Sequence, residues 1–183
     1  YIADDYQHVG GGALLQNKTD RLLTETYYLL TVTDQADRVC LAKEGYIDLI
    51  WPKQQLFFSP GVLDVPEGCQ ASHVDMIIVP GEFGQFQLGY NPLEAGSPAV
   101  DESGEFATVS VVNNLNADVS SAVVYLVLTD ASGKIVGGGA AQTSSIRANS
   151  VASVQIPFVY FGQLVNLKLI TSVGIPLDVT FGP

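Results

Sequence analysis

The chemically capable residues of this chain are few and scattered. Cys40 and Cys69 are its only cysteines. An even count in a chain of extracellular character points to a disulfide, with two buried thiols as the alternative. Such a bridge closes a loop of roughly 30 residues and stabilises by about 3–4 kcal/mol in the chain-entropy picture. His73 and Asp75 alternate on one predicted strand, the spacing of a base and its orienting carboxylate. No GxSxG-type nucleophile motif accompanies them, so we read a solvated polar face and expect no enzyme. His8 has no evident partner.

Two cysteines and two scattered histidines lack transition-metal ligand spacing. The acids Asp34 and Asp37, Asp101 and Glu102, with Asp4, Asp5 and Glu105, are weak candidates for Ca²⁺ if turn carbonyls complete the shell. Ordinary solvated turn acids are the simpler reading, and no other cofactor is expected. Asn17-Lys18-Thr19 is a glycosylation sequon in a predicted turn. Gly137-Gly138-Gly139 lacks the Lys-Ser/Thr of a phosphate loop and reads as a flexible strand end.

Apolar surface is the stronger signal. In the strand containing Leu126, Val124, Leu126 and Leu128 share one face, yet the opposite face carries Val123, Tyr125 and Val127. Tyr27 and Leu29 repeat that pattern earlier. A strand with one wet face alternates apolar with polar, so these five residues are interface candidates, to be covered by another domain or subunit. The alternative is a cross-strand aromatic cluster on an ordinary surface. Phe57, Phe58, Tyr160 and Phe161 add to the suspicion of exposed aromatics. Trp51, Tyr46 and Tyr160 are candidates for a carbohydrate-facing groove.

The chain has 183 residues, 47% hydrophobic and 15% charged, with net charge −11. That charge argues against nucleic acid and anionic membrane surfaces. No apolar run is long enough for a membrane-spanning helix. A start at Tyr1 suggests an upstream segment that was removed.

Leu30-Thr31-Val32-Thr33-Asp34 and Leu126-Val127-Leu128-Thr129-Asp130 match at an offset of 96, which also carries Asn17 onto Asn113. Met76 through Gly89 matches Leu169 through Gly182 at 93, implying three extra residues in the first copy. This is the signature of a duplicated unit. It predicts two domains: 1–92 with an extended tail 1–12, a proline-containing linker 93–104, and 105–183.

Period-two runs bounded by Gly, Pro and Asn predict strands throughout and no helix. In the first copy they fall at Ala13–Gln16, Leu22–Thr33, Arg38–Ala42, Tyr46–Trp51 (separated from the previous run by Gly45), Leu56–Phe58, Val62–Val65, Val74–Val79 and Gln85–Leu88. In the second they fall at Phe106–Val112, Ala122–Thr129, Ile135–Gly138, Val151–Ile156, Leu164–Ile170 and Leu177–Phe181. The expected fold class is all-β, two tandem immunoglobulin-like β-sandwich domains.

Val111-Val112-Asn113-Asn114, Leu126 through Val136 and Ile146 through Ser150 resemble FxLYD- and CARDB-type secreted modules. The tail from Val165 is similar to archaeal pilin-like surface domains. The resemblance implies a non-catalytic extracellular or cell-surface structural or adhesive protein, including a filament subunit assembled through β-strand contacts. Its partner would be a second copy or another surface protein, with Tyr1–Val9 as a candidate donor strand. An envelope or carbohydrate-binding accessory module is the alternative.

Overall fold

The computed structural model describes residues 2, 8–84 and 90–176. It is all-β, with one short 3₁₀ turn at Leu164–Asn166. Predicted strands Gln85–Leu88 and Leu177–Phe181 lie outside the described residues, as do Asp4, Asp5 and most of Tyr1–Val9.

The first half contains β1 (His8–Val9), β2 (Ala13–Gln16), β3 (Leu22–Thr24), β4 (Thr26–Thr33), β5 (Val39–Ile47), β6 (Gln55–Phe58), β7 (Leu63–Asp64), β8 (His73–Val79) and β9 (Glu82–Gly84). Its main sheet has the order β5–β4–β8, and β1–β7, β2–β6 and β3–β9 form separate antiparallel pairs. The second half contains β10 (Leu93–Ala95), β11 (Ala99–Val100), β12 (Phe106–Asn113), β13 (Ala122–Thr129), β14 (Ile135–Thr143), β15 (Val151–Tyr160) and β16 (Lys168–Gly174). These make one sheet, β10–β12–β15–β14–β13–β16, with β11 also on β12. Its ends approach each other: Thr171 Oγ1 donates to Gly96 O at 2.8 Å and Asn91 Nδ2 to Val173 O at 2.9 Å.

The sequence periodicity of 96 recurs as geometry. Val32 pairs with Leu41 as Leu128 pairs with Gly137, and both ladders bulge at the next residue. Ala13 pairs with Phe58 as Val109 pairs with Val154. Isolated bridges Leu23–Ile50 and Val119–Ile146 keep the same offset. Beyond β6 the register offset drops to 95, because Leu30 faces Met76 while Leu126 faces Thr171. The sequence match of 93 differs from this by two residues, which preserves the inward face.

Asn17 and Asn113 do the same structural work in each half. Asn17 Nδ2 lies 2.7 Å from Arg21 O and 2.9 Å from Ile50 O, and its Oδ1 accepts the Thr19 N–H. Asn113 Nδ2 lies 2.9 Å from Ala117 O, 3.1 Å from Ile146 O and 3.0 Å from Arg147 O, with Oδ1 accepting the Leu115 N–H. Each amide ties the turn that follows its own strand to a distant segment, adding a donor to the Ile50 and Ile146 carbonyls, which also accept the Leu23 and Val119 N–H groups.

Several sequence expectations change. The segment 93–104 does not run as a linker: β10 and β11 pair along β12, and Gly96 N–H donates to Ser110 O. Leu22–Thr33 splits at Glu25, whose φ of 55° breaks the extended chain. Gly45 does not divide β5. It sits opposite Tyr28, where a Cβ would press to 3.1 Å from the ring. Nor are Gly137–Gly139 a loose strand end. They lie inside β14, paired on both sides, and a side chain at Gly137 or Gly139 would collide with the β15 backbone.

The halves also share their cores. Leu22, Leu49 and Trp51 are buried in the second half's core beside Val109, Leu126 and Ile156. A junction cluster joins Tyr28, Ile47, Leu56 and Phe58 to Tyr125. Leu30, Val32 and Val9 form a smaller first-half core.

Truncating Asn113 to Ala should cost about 1–3 kcal/mol, since its buried amide approaches three carbonyls and accepts the Leu115 N–H, and all of these contacts are lost together. Urea unfolding of the variant against wild type measures this.

Candidate functional site: an uncovered sheet face and the junction between halves

β4 and β13 have the same alternation, but their second faces meet different fates. On β13, Tyr125 and Val127 are buried and Val123 is half-buried. Cover comes from the same chain. The Phe58 ring lies 5.3 Å from the Tyr125 ring, and Tyr28 lies 5.0 Å from Phe58, in tilted and edge-on contacts. Small neighbours make this approach possible. Tyr125 is flanked by Ala140 and Ser172, and Val123 by Gly174 on one side, with the longer and exposed Gln142 on the other. At Gly174 even a methyl group would collide with the Asp48 carboxylate.

Asp48, 8% exposed, accepts the Tyr125 hydroxyl at 2.6 Å. Burial first, and then the Asp48 charge and hydrogen bond, push the Tyr125 phenol well above its ordinary value. Further ties across the junction are Leu49 N–H to Ile175 O at 3.1 Å and Phe57 N–H to Ser172 Oγ at 3.0 Å.

On β4 the corresponding rows are open. Tyr27 sits between Tyr46 and Val79, and Leu29 between Glu44 and Ile77. Tyr27 and Leu29 are half-buried, whereas Tyr46 is 65%, Ile77 60% and Val79 50% exposed. Tyr27 and Tyr46 meet edge-on at 6.0 Å, and the Tyr27 hydroxyl donates to Glu44. That hydrogen bond is the main cause of the raised Tyr27 value. Where the second half has Gln142, Gly174, Ala140 and Ser172, the first has Tyr46, Val79, Glu44 and Ile77. The interface candidates therefore divide: Val123 and Tyr125 face inward at the junction, Val127 is buried farther along the same strand, and Tyr27 and Leu29 lie on an uncovered face.

Cys40 and Cys69 form the expected disulfide, 29 residues apart. It ties the start of β5 to the loop before β8. The acids serve turns. Asp34 accepts Ala36 N–H and Arg38 N–H and ion-pairs with the Arg38 guanidinium at 2.7 Å. The Arg38 hydrogen bond holds the Asp34 carboxyl below its usual range. Asp37 occupies the left-handed position of that turn, at φ 57°. Asp130 repeats the arrangement with Ser132 and Lys134.

Asp101 Oδ1 accepts from Ser103 Oγ, Gly104 N–H and Phe106 N–H, and Glu102 lies exposed on the same turn. Among the described residues, no three metal-ligating side chains converge.

The remaining candidates are placed plainly. Asn17 is 5% exposed with its amide nitrogen engaged by two carbonyls, so the folded chain does not present the sequon. His73 and Asp75 form an exposed pair at 3.3 Å on β8. His8 has a partner after all, Asp64 at 3.4 Å across β1–β7. Trp51 and Phe58 are core residues, not surface aromatics. Tyr160 is half-buried against the second-half core, and Phe161 is exposed. No helix among the described residues is long and apolar enough to cross a membrane. No family model matches the chain, and no curated protein matches it in sequence.

Replacing both cysteines with serine should lower unfolding stability by about 3–4 kcal/mol, read by denaturant titration. A raised phenol stabilises fully below its unfolded value near 10 and loses that contribution as pH rises through the folded value. Tyr125→Phe should therefore flatten the loss of stability above pH 10, while costing about 1–3 kcal/mol at pH 7 by removing the donor to Asp48.

Proposed function

We propose that the chain is a non-catalytic structural or adhesive protein of the cell exterior, which docks through the outer face of β5–β4–β8. The observation that carries this reading is the contrast between the two halves. The second face of β13 is apolar and covered from within the chain, whereas that of β4 is apolar and open. Bulky apolar side chains grouped on one exposed sheet face mark an interaction surface more often than scattered ones do. We also infer that the periodicity of 96 arose by internal duplication, so the two faces share an origin and have diverged in what covers them.

Other observations support the same setting. The disulfide fits an oxidising compartment. Low charge content with a net charge of −11 fits a secreted β-protein better than a partner of nucleic acid. A terminal donor strand has less support. Ile2 bridges Val9, and His8–Val9 already pair with β7 in the same chain. Among the described strands, β5 and β8 each pair on one side only, so docking on the sheet face leaves two open edges beside it for strand contacts.

Tyr46→Lys with Ile77→Lys should weaken association while leaving the unfolding midpoint within a few degrees of wild type, because both side chains are exposed. Light scattering across a concentration series should give an oligomer for wild type and about 100-fold weaker association for the double variant. A wild-type monomer throughout, which also fails to cross-link to any native surface component through this face, would overturn the reading.

A further inference from the structure

Among the described residues, β8 pairs along β4 and leaves its other edge open. Its counterpart in the second half is closed. There Thr171 stands against Leu126 as Met76 stands against Leu30, and Thr171 Oγ1 donates to Gly96 O, which draws β16 toward β10. The open edge also shows in burial. Val74, Met76 and Ile78 share the inner face with Val32, Leu30 and Tyr28, their ladder partners. The three β4 residues are buried, and the three on β8 are only half-buried.

Edge strands are normally kept from pairing by lysines, inward-pointing charges, prolines or bulges. β5, the other edge of this sheet, has two of these devices. Lys43 shares the inner face with its partner Leu30, and the β4–β5 ladder bulges after Val32. β8 has none of them. It runs for seven residues in continuous register, without Lys, Arg or Pro, and Pro80 follows its last residue. Its one carboxylate, Asp75, points outward and is exposed.

We propose that β8 pairs antiparallel with β8 of a second copy about a two-fold axis, giving one sheet of order β5–β4–β8–β8–β4–β5. The strand's own residues favour this occupant. Because Pro80 cannot donate to a ladder, the register that pairs all of His73–Val79 is centred on Met76. It sets Met76 against Met76 and Val74 against Ile78, an apolar continuation of the half-buried inner row. On the outer face it sets Asp75 against Ile77 and His73 against Val79, so no like charges stand directly opposite. Centring one residue earlier would oppose Asp75 to Asp75. The pairing uses the strand edge and stands apart from docking on the outer face, which it leaves uncovered.

Sedimentation velocity of the full chain over a concentration series, with hydrogen exchange of the β8 amides, tests this. The wild type should dimerise, and β8 amides should slow as concentration rises while those of β5 do not. Ile77→Asp places a carboxylate opposite Asp75 of the second copy, twice per dimer, and should weaken pairing about tenfold. Adding Asp75→Lys makes those pairs opposite in charge and should restore the dimer. Both positions are exposed, so the fold should hold. Tyr46→Lys with Ile77→Lys should stop at the dimer, since the new ammonium at 77 faces Asp75. A wild type that never grows beyond a dimer would remove docking between copies and still support this pairing. A wild-type monomer whose β8 exchange ignores concentration would overturn it, and β8 protection confined to native material would assign the edge to another component instead. A dimer indifferent to Ile77→Asp would overturn it as well.

Discussion

Burial of β13 on both faces is the constraint around which the molecule is arranged. A central strand with two apolar faces needs two layers of cover. The second half supplies one layer through its own rolled sheet, and Phe58 and Tyr28 supply the other. The cost of that arrangement is a buried phenol, and Asp48 meets it by accepting the hydroxyl. Because Asp48 itself sits against Gly174, the carboxylate is fixed by shape as well as by its hydrogen bond. Loss of either partner leaves a desolvated polar group at the junction.

This sharing changes what the halves are. Trp51 belongs by sequence to the first half but packs in the core of the second. β10 and β11, between the halves in sequence, close the edge of β12. Where β15 runs unbroken for ten residues, its first-half counterpart is interrupted at Pro60 and Gly61 into β6 and β7. Gly61 takes φ of 90°, off the extended chain, so the strand breaks there. Phe58, at the end of β6, is the residue that reaches Tyr125.

What was legible in the residues follows from the range of the interactions involved. Alternation, turn chemistry and the repeat are local or translational signals. They located Ala13–Gln16 and Ala122–Thr129 to the residue, and carried Asn17 onto Asn113. The need to cover Tyr125 and Val127 was legible too, because a strand's second face can be read from periodicity alone. The source of that cover was not, since it depends on Phe58, Asp48 and Gly174, far apart in sequence. Glycine misled for the same reason. Gly45 and Gly139 are demanded by neighbours on other strands, and no turn is involved. The sequon at Asn17 likewise gave no sign that its amide was committed to Ile50, 33 residues away.

The uncovered face of β5–β4–β8 is the feature on which the functional reading turns. Its rows match those sealed at the junction, but Val79 and Ile77 stand where the junction has Gly174 and Ser172, and Tyr46 stands where it has Gln142. Carbene footprinting of Tyr46 and Ile77, on native material and on the isolated chain, tests this most directly. The account predicts strong labelling of both residues in the isolated chain and clear protection in the native material. Equal labelling in the two would contradict it.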